Sequence, residues 1–154
     1  MTSLTANNNK LTNLNGLADK KLTYLSVTGN ELADVSAIAS CTELRVLYLN
    51  DNALTDVSAL KSLVALTTLD LSQNSIVDVA PLAELTTLTT LRLGDNPIED
   101  KTPLTELDEA GCNITYDSVK DSVEEETDHD HEETATEEAS TAEESATVEE
   151  SAEN

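Results

Sequence analysis

Five asparagines, Asn9, Asn30, Asn52, Asn74 and Asn96, recur at intervals of 21, 22, 22 and 22 residues, and no other feature limits the fold so tightly. A polar side chain that returns at one period, each time among leucines, requires a backbone that returns with it. Aligned on these asparagines, units start at Met1, Leu22, Leu44, Leu66 and Leu88. Three residues into the units stand Leu4, Leu25, Leu47, Leu69 and Leu91, and five residues in stand Ala6, Val27, Leu49, Leu71 and Leu93. This period-two alternation predicts a half-buried strand in every unit. Self-similarity at a period of roughly 20–50 residues predicts stacked units that bury a continuous core together where one alone could not. Stacking also accounts for the asparagines: a turning backbone leaves N–H and C=O groups without ladder partners, and a buried amide can satisfy both kinds from one turn to the next. The five are expected to form a structural asparagine ladder.

The second half of each unit keeps the register. Leu11, Leu32, Leu54, Ile76 and Ile98 follow the asparagines, then Leu14, Val35, Val57 and Val79, with Lys101 as the first break in the apolar series. Leu17, Ile38, Leu60, Leu82 and Leu104 lie on the return side, where the stretches opened by Ser36, Ser58, Ala80 and Thr102 predict brief 3-10 turns. A unit this short has no room for a full helix. Pro81 and Pro103 suit the first position of such a turn, where no backbone donor is needed.

The pattern Leu-x-x-Leu-x-Leu-x-x-Asn-x-Leu resembles the leucine-rich-repeat family, in its 22-residue class, from residue 1 to about 109. Asp34, Asp56, Asp78 and Asp100, with Pro81-Leu82 and Leu85-Thr86, make it most similar to the repeats of bacterial internalins. The resemblance implies an α/β leucine-rich-repeat solenoid with a concave parallel β-sheet and 3-10 turns on the convex side. It also implies protein binding, with surface adhesion in a bacterium as the setting. The capping element that normally precedes such repeats is absent before Met1, and the immunoglobulin-like domain that often follows them is absent too. A fragment or a missing start is therefore expected. Cell-surface placement follows if the chain is a piece of an internalin-like protein, and a cytoplasmic one otherwise.

Beyond Leu104 two readings stand: a shortened fifth unit followed by a degenerate sixth, in which Leu104–Ile114 repeats the strand motif with Cys112 in the asparagine place, or an irregular cap. The cap is favoured, with Tyr116, Val119 and Val123 forming a short apolar helical stripe over the end of the core. The domain is thus expected at 1–116, as about five repeats plus cap, and an acidic low-complexity tail at 117–154. The tail holds 16 acids against Lys120 alone, a net −15, while residues 1–116 hold 15 acids against seven Lys and Arg, a net −8. Built of Glu, Ser, Thr and Ala, the tail cannot bury enough apolar surface to order itself. Attraction to nucleic acid or an anionic membrane is excluded by the shortage of cations. No apolar run of about 18 residues is present to span a bilayer, and the first residues lack the basic and apolar regions of a secretory signal.

Residues two, four, six and seven places into each unit should project from the concave sheet as a binding surface. Two of the three tyrosines, Tyr24 and Tyr48, do so on adjacent turns beside Val46, giving an amphipathic patch of the kind that anchors interfaces. Asp70 and Arg92 share one place on consecutive turns and are expected to form a surface ion pair worth less than about 1 kcal/mol, available for partner choice. The expected partner-binding set is Tyr24, Val46, Tyr48, Asp70 and Arg92. Cys41 takes a leucine's place and should be buried; Cys112, about three turns on at roughly 4.8 Å each, is beyond disulfide reach. His129 and His131 alternate with acids in the tail, where nothing orders them as metal ligands. Asn113–Thr115 is a glycosylation sequon, meaningful only in a secreting eukaryote. No metal, cofactor or catalytic constellation is expected. The reading is a non-catalytic, monomeric protein-interaction module. The rival reading is an acidic-tailed regulatory or chaperone-like protein binding basic partners such as histones. It is similar in architecture to the acidic leucine-rich nuclear phosphoproteins, although their repeats are less regular and their tails denser in acid.

Overall fold

The computed structural model describes residues 1–116; the acidic segment 117–154, with Val119, Val123, His129 and His131, lies outside the described residues. Six three-residue strands, β1 (Ser3–Thr5), β2 (Tyr24–Ser26), β3 (Val46–Tyr48), β4 (Thr68–Asp70), β5 (Thr90–Arg92) and β6 (Asn113–Thr115), form one parallel sheet in chain order. Each steps by one repeat: Leu4 pairs with Leu25, Leu25 with Leu47, Leu47 with Leu69, Leu69 with Leu91, and Leu91 with Ile114. The return stretches are 3-10 turns at Asn15–Leu17, Ser36–Ile38, Ser58–Ser62, Ala80–Glu84 and Thr102–Leu104. Between the two sides the leucine positions close into a dry aliphatic core, with Leu25, Leu47, Leu69, Leu91 and the facing Ile38, Leu60, Leu82 and Leu104 fully excluded from water.

Each 3-10 turn is started by a side chain. Asp34, Asp56, Asp78 and Asp100 accept through Oδ1 from the backbone N–H two residues on, at 2.7, 2.8, 2.9 and 2.9 Å, and Asn13 does the same at 3.2 Å in the first unit. An Asx turn of this kind holds the chain at the corner where strand ladder bonds have stopped. The N–H groups of Ser36 and Ser58 hold the Asp34 and Asp56 carboxyls below the usual carboxylate range; for Asp100 the Thr102 hydroxyl is the larger cause and its N–H the second.

A second corner follows the strands. Asn8, Gly29, Asp51, Gln73 and Asp95, the residues immediately before the five asparagines, all have φ between 55° and 67°. Four of these are Asn, Asp or Gly, the types that enter the left-handed region most readily; Gln73 is the exception. At Gly29 a Cβ would also lie 2.5 Å from Asn8 Oδ1, so the exposed Asn8 side chain would have to shift.

The asparagines join the turns. Asn74 Nδ2 donates to Leu71 O and Ser72 O of its own turn and to Leu49 O of the preceding turn, while its Oδ1 accepts from Leu54 N. Asn52 and Asn96 repeat this pattern one turn earlier and one turn later. Asn30 reaches back to Ala6 O and Leu11 N in the same way. Asn9 bonds only to Ala6 O and Asn7 O of its own turn among the described residues.

The C-terminal end differs from the shortened-unit expectation. Leu104–Ile114 is not a repeated strand motif: Thr102–Leu104 is the fifth 3-10 turn, Thr105–Glu109 is a short helix α1, and the chain then enters β6. Leu104 and Leu107 are the ordinary buried positions of a complete fifth unit. Gly111, at φ 93°, brings the chain from α1 into a sixth strand in full register. Cys112 is therefore a core plug ahead of β6 rather than an asparagine equivalent. Tyr116 is reached through that strand; Val119 and Val123, the rest of the expected stripe, lie outside the described residues. Tyr116 packs against the core and lies under Lys101 Nζ, 4.1 Å from the ring centroid. The lysine that breaks the apolar series thus rests its ammonium over an aromatic face.

Candidate partner-binding face

The register turns the sheet face into a grid of known order. One row across the strands reads Ser3, Tyr24, Val46, Thr68, Thr90 and Asn113; the other reads Thr5, Ser26, Tyr48, Asp70, Arg92 and Thr115. Strand pairing places Tyr24 beside Val46 and one step diagonal from Tyr48. The two tyrosine rings meet edge to face, with centroids 6.0 Å apart and planes at 64°, a preferred arrangement of aromatic quadrupoles. Tyr24, Val46 and Tyr48 are all half-buried, so each rests on its neighbours and still presents surface.

The neighbouring grid positions are less uniform than alternation alone predicts. Ser26, only 3 % exposed, donates to Asn7 Oδ1 at 2.8 Å. Asn7 Oδ1 also accepts from Thr28 N, and Thr28 Oγ1 donates to Asn50 Oδ1 at 2.8 Å. Gly94 is buried as well. Side chains expected to be free for a partner are in these places committed to one another.

Asp70 and Arg92 lie side by side, with Nη1 3.5 Å from Oδ2, but they are not an exposed pair: the aspartate side chain is 11 % exposed and the arginine 52 %. Asp70 Oδ1 accepts from both Ser72 N at 3.0 Å and Ser72 Oγ at 2.6 Å. One carboxylate oxygen is thereby held by Ser72 and the other faces Arg92, whereas the arginine side chain is half-exposed. The surface-pair expectation is corrected to a buried anchor carrying a half-exposed cation, because the Asp70 side chain folds back onto its own strand end.

The thiols have no part in this face. Cys41 is buried with Sγ 3.3 Å from Leu17 O, Cys112 is buried at the other end of the core, and both are free. Burial pushes both thiols up from their ordinary range. Among the described residues no group of three His, Cys, Asp or Glu is placed to hold a metal ion, and no helix is long and apolar enough to cross a membrane. Two small cavities, about 210 and 300 Å³, both border Lys101 and Tyr116 at the C-terminal end.

Residues 20–76 match the family described as "Leucine rich repeat", and residues 64–108 match "Leucine Rich repeats (2 copies)". The chain is a leucine-rich-repeat protein. Its repeats resemble those of internalins: an internalin, inlF, from Listeria monocytogenes str. 4b F2365 superposes with a TM-score of 0.68 at 32% identity, over 75% of this chain and 34% of that one. Internalin C2 of the same strain gives 0.54 at 27% identity, over 77% and 70% of the two chains. The functional domain of InlJ from Listeria monocytogenes, which includes a cysteine ladder, gives 0.57 at 29% identity, over 69% and 24%. This chain thus spans about a third of inlF and about a quarter of the InlJ domain. No curated protein matches it in sequence. A leucine-rich solenoid of this kind supports a role as a protein-interaction module, typically without catalytic activity.

Proposed function

We propose that this leucine-rich-repeat protein is a non-catalytic module whose domain, residues 1–116, receives a partner protein on the concave sheet face. The observation that carries the reading is the edge-to-face pair Tyr24–Tyr48 beside Val46. Half-buried aromatics that support each other lose little side-chain entropy when a partner covers them, and large rigid side chains of this kind dominate interface energies. Surface adhesion in a bacterium is the setting that the internalin resemblance implies.

The test is capture of partner proteins by the full chain and by residues 1–116, each at about 0.15 M and about 1 M salt, where the Debye length falls from about 8 Å to 3 Å. Capture by residues 1–116 should survive high salt, and Tyr24→Ala with Tyr48→Ala should remove it while leaving the circular dichroism unchanged. Capture that needs the acidic segment and disappears in salt would instead make the chain an acidic binder of basic partners.

A further inference from the structure

Arg92 is the only cation among the twelve strand positions of the sheet face, and Asp70 the only carboxylate. Their exposures differ nearly fivefold. Asp70 is held by Ser72 through two hydrogen bonds and has its second oxygen toward Arg92. With its side chain only 11 % exposed, it offers a partner little surface. Arg92 engages Asp70 through one nitrogen at a long 3.5 Å. A guanidinium carries five N–H donors in a planar fork, so the outward edge remains available for a second, two-pronged acceptor. Asp70 limits the rotamers of Arg92, which lowers the entropic cost of forming that second contact.

The same row supplies a ruler. Tyr48 pairs with Asp70 and Asp70 with Arg92, so two strand spacings, about 9.6 Å, separate the tyrosine from the arginine. Asp51 and Asp95 border the rim beyond the strand ends and are exposed. They disfavour a carboxylate arriving over the turns and leave the strand rows as its approach.

We infer that the partner presents, on one continuous surface, an apolar side chain for the Tyr24–Tyr48–Val46 patch and a carboxylate about 10 Å away for Arg92. This rests on the concave-face reading and adds to it the chemistry that the face selects. An overall acidic chain gains specificity this way: long-range repulsion weakens non-specific acidic contacts, and only a carboxylate held at the right distance from an apolar anchor meets the one cation of the strand rows.

A random-peptide display library selected on the immobilised full chain tests this directly. Wild-type selection should return sequences pairing an apolar residue with Asp or Glu at a fixed interval. Arg92→Glu should weaken those peptides about tenfold and, used as bait itself, should return Lys or Arg at the acidic place. Arg92→Lys, which keeps the charge and loses the fork, should retain part of the binding, and circular dichroism checks that each variant is folded. Peptides that depend on Tyr24 and Tyr48 but show no acidic preference and ignore Arg92→Glu would overturn this inference and leave the concave-face reading standing. Peptides indifferent to the tyrosines and to Arg92, or no enrichment at all, would remove both.

Discussion

Asn9 and Asn74 hold the same place in their turns, yet one is exposed and bonded only within its own turn, while the other is 8 % exposed and bonded to two turns. The apolar positions differ in the same way. Leu4 and Leu11 are only partly buried, Met1 is 72 % exposed, and their equivalents Leu69 and Ile76 are fully excluded from water. One motif is therefore satisfied to different degrees in the first described turn and in the middle of the solenoid. The amide and the leucine reach backward along the solenoid, so the burial and bonding of each turn depend on its neighbour. This is the nearest-neighbour energetics of repeat proteins, seen here at single residues.

The largest expected effect compares leucines. Leu69→Ala should cost about 3 kcal/mol, in the range for a buried leucine whose site cannot collapse, whereas Leu4→Ala should cost less than about 1 kcal/mol, as expected where burial is partial. Urea denaturation followed by circular dichroism measures both, and equal losses would mean that the first turn is packed like the middle ones. Next come the asparagines. Asn74→Ala strands the buried Leu54 N, while Leu49 O, Leu71 O and Ser72 O each keep one other donor, and should cost about 2 kcal/mol, while Asn9→Ala should stay within about 0.5 kcal/mol; comparable values would break the dependence on the preceding turn.

A smaller effect concerns the left-handed corner. Gln73→Gly should raise stability by about 0.5 kcal/mol, because relief of a strained φ slightly exceeds the added freedom of the unfolded chain. A loss would show that Gln73 contributes contacts that offset the strain.

The smallest effect is in acid. Asp34, Asp56 and Asp100 have folded-state carboxyls held below their ordinary value. Their contribution is present above the unfolded carboxylate value, about 3.9, and is lost as pH falls through the lower folded value. Replacing all three by asparagine keeps the side-chain acceptor, as Asn13 already does, and removes the titration. The stability difference between wild type and this variant should shrink as pH falls below about 4, and a difference that stays constant with pH would refute the assignment.

Much of the fold was legible because the repeat is regular. The leucine places, the asparagine series, the 3-10 turns opened near Pro81 and Pro103, and the burial of Cys41 all follow from period and residue type. The left-handed corner could have been read from Asn8, Gly29, Asp51 and Asp95, and Gln73 alone obscured it. At the C-terminal end the apolar spacing fits two registers, and only the Gly111 turn and pairing with β5 choose between them. On the sheet face, the adjacency of Tyr24 and Tyr48 was readable from the register. The inward fold of Asp70 was not, since period-two alternation gives a side for each residue but says nothing of a side chain that bends back to bond its own backbone.

The sequence by itself thus determined which residues face the core and how successive turns align, because one period admits one stacking register. Tertiary structure alone decided how well each copy is satisfied: that Asn74 is bonded across turns and Asn9 is not, that Asp70 is buried and Arg92 half-exposed, and that Lys101 lies over Tyr116. The physical reason is that burial and hydrogen bonding belong to the contact between neighbouring turns, whereas the motif specifies only one turn at a time.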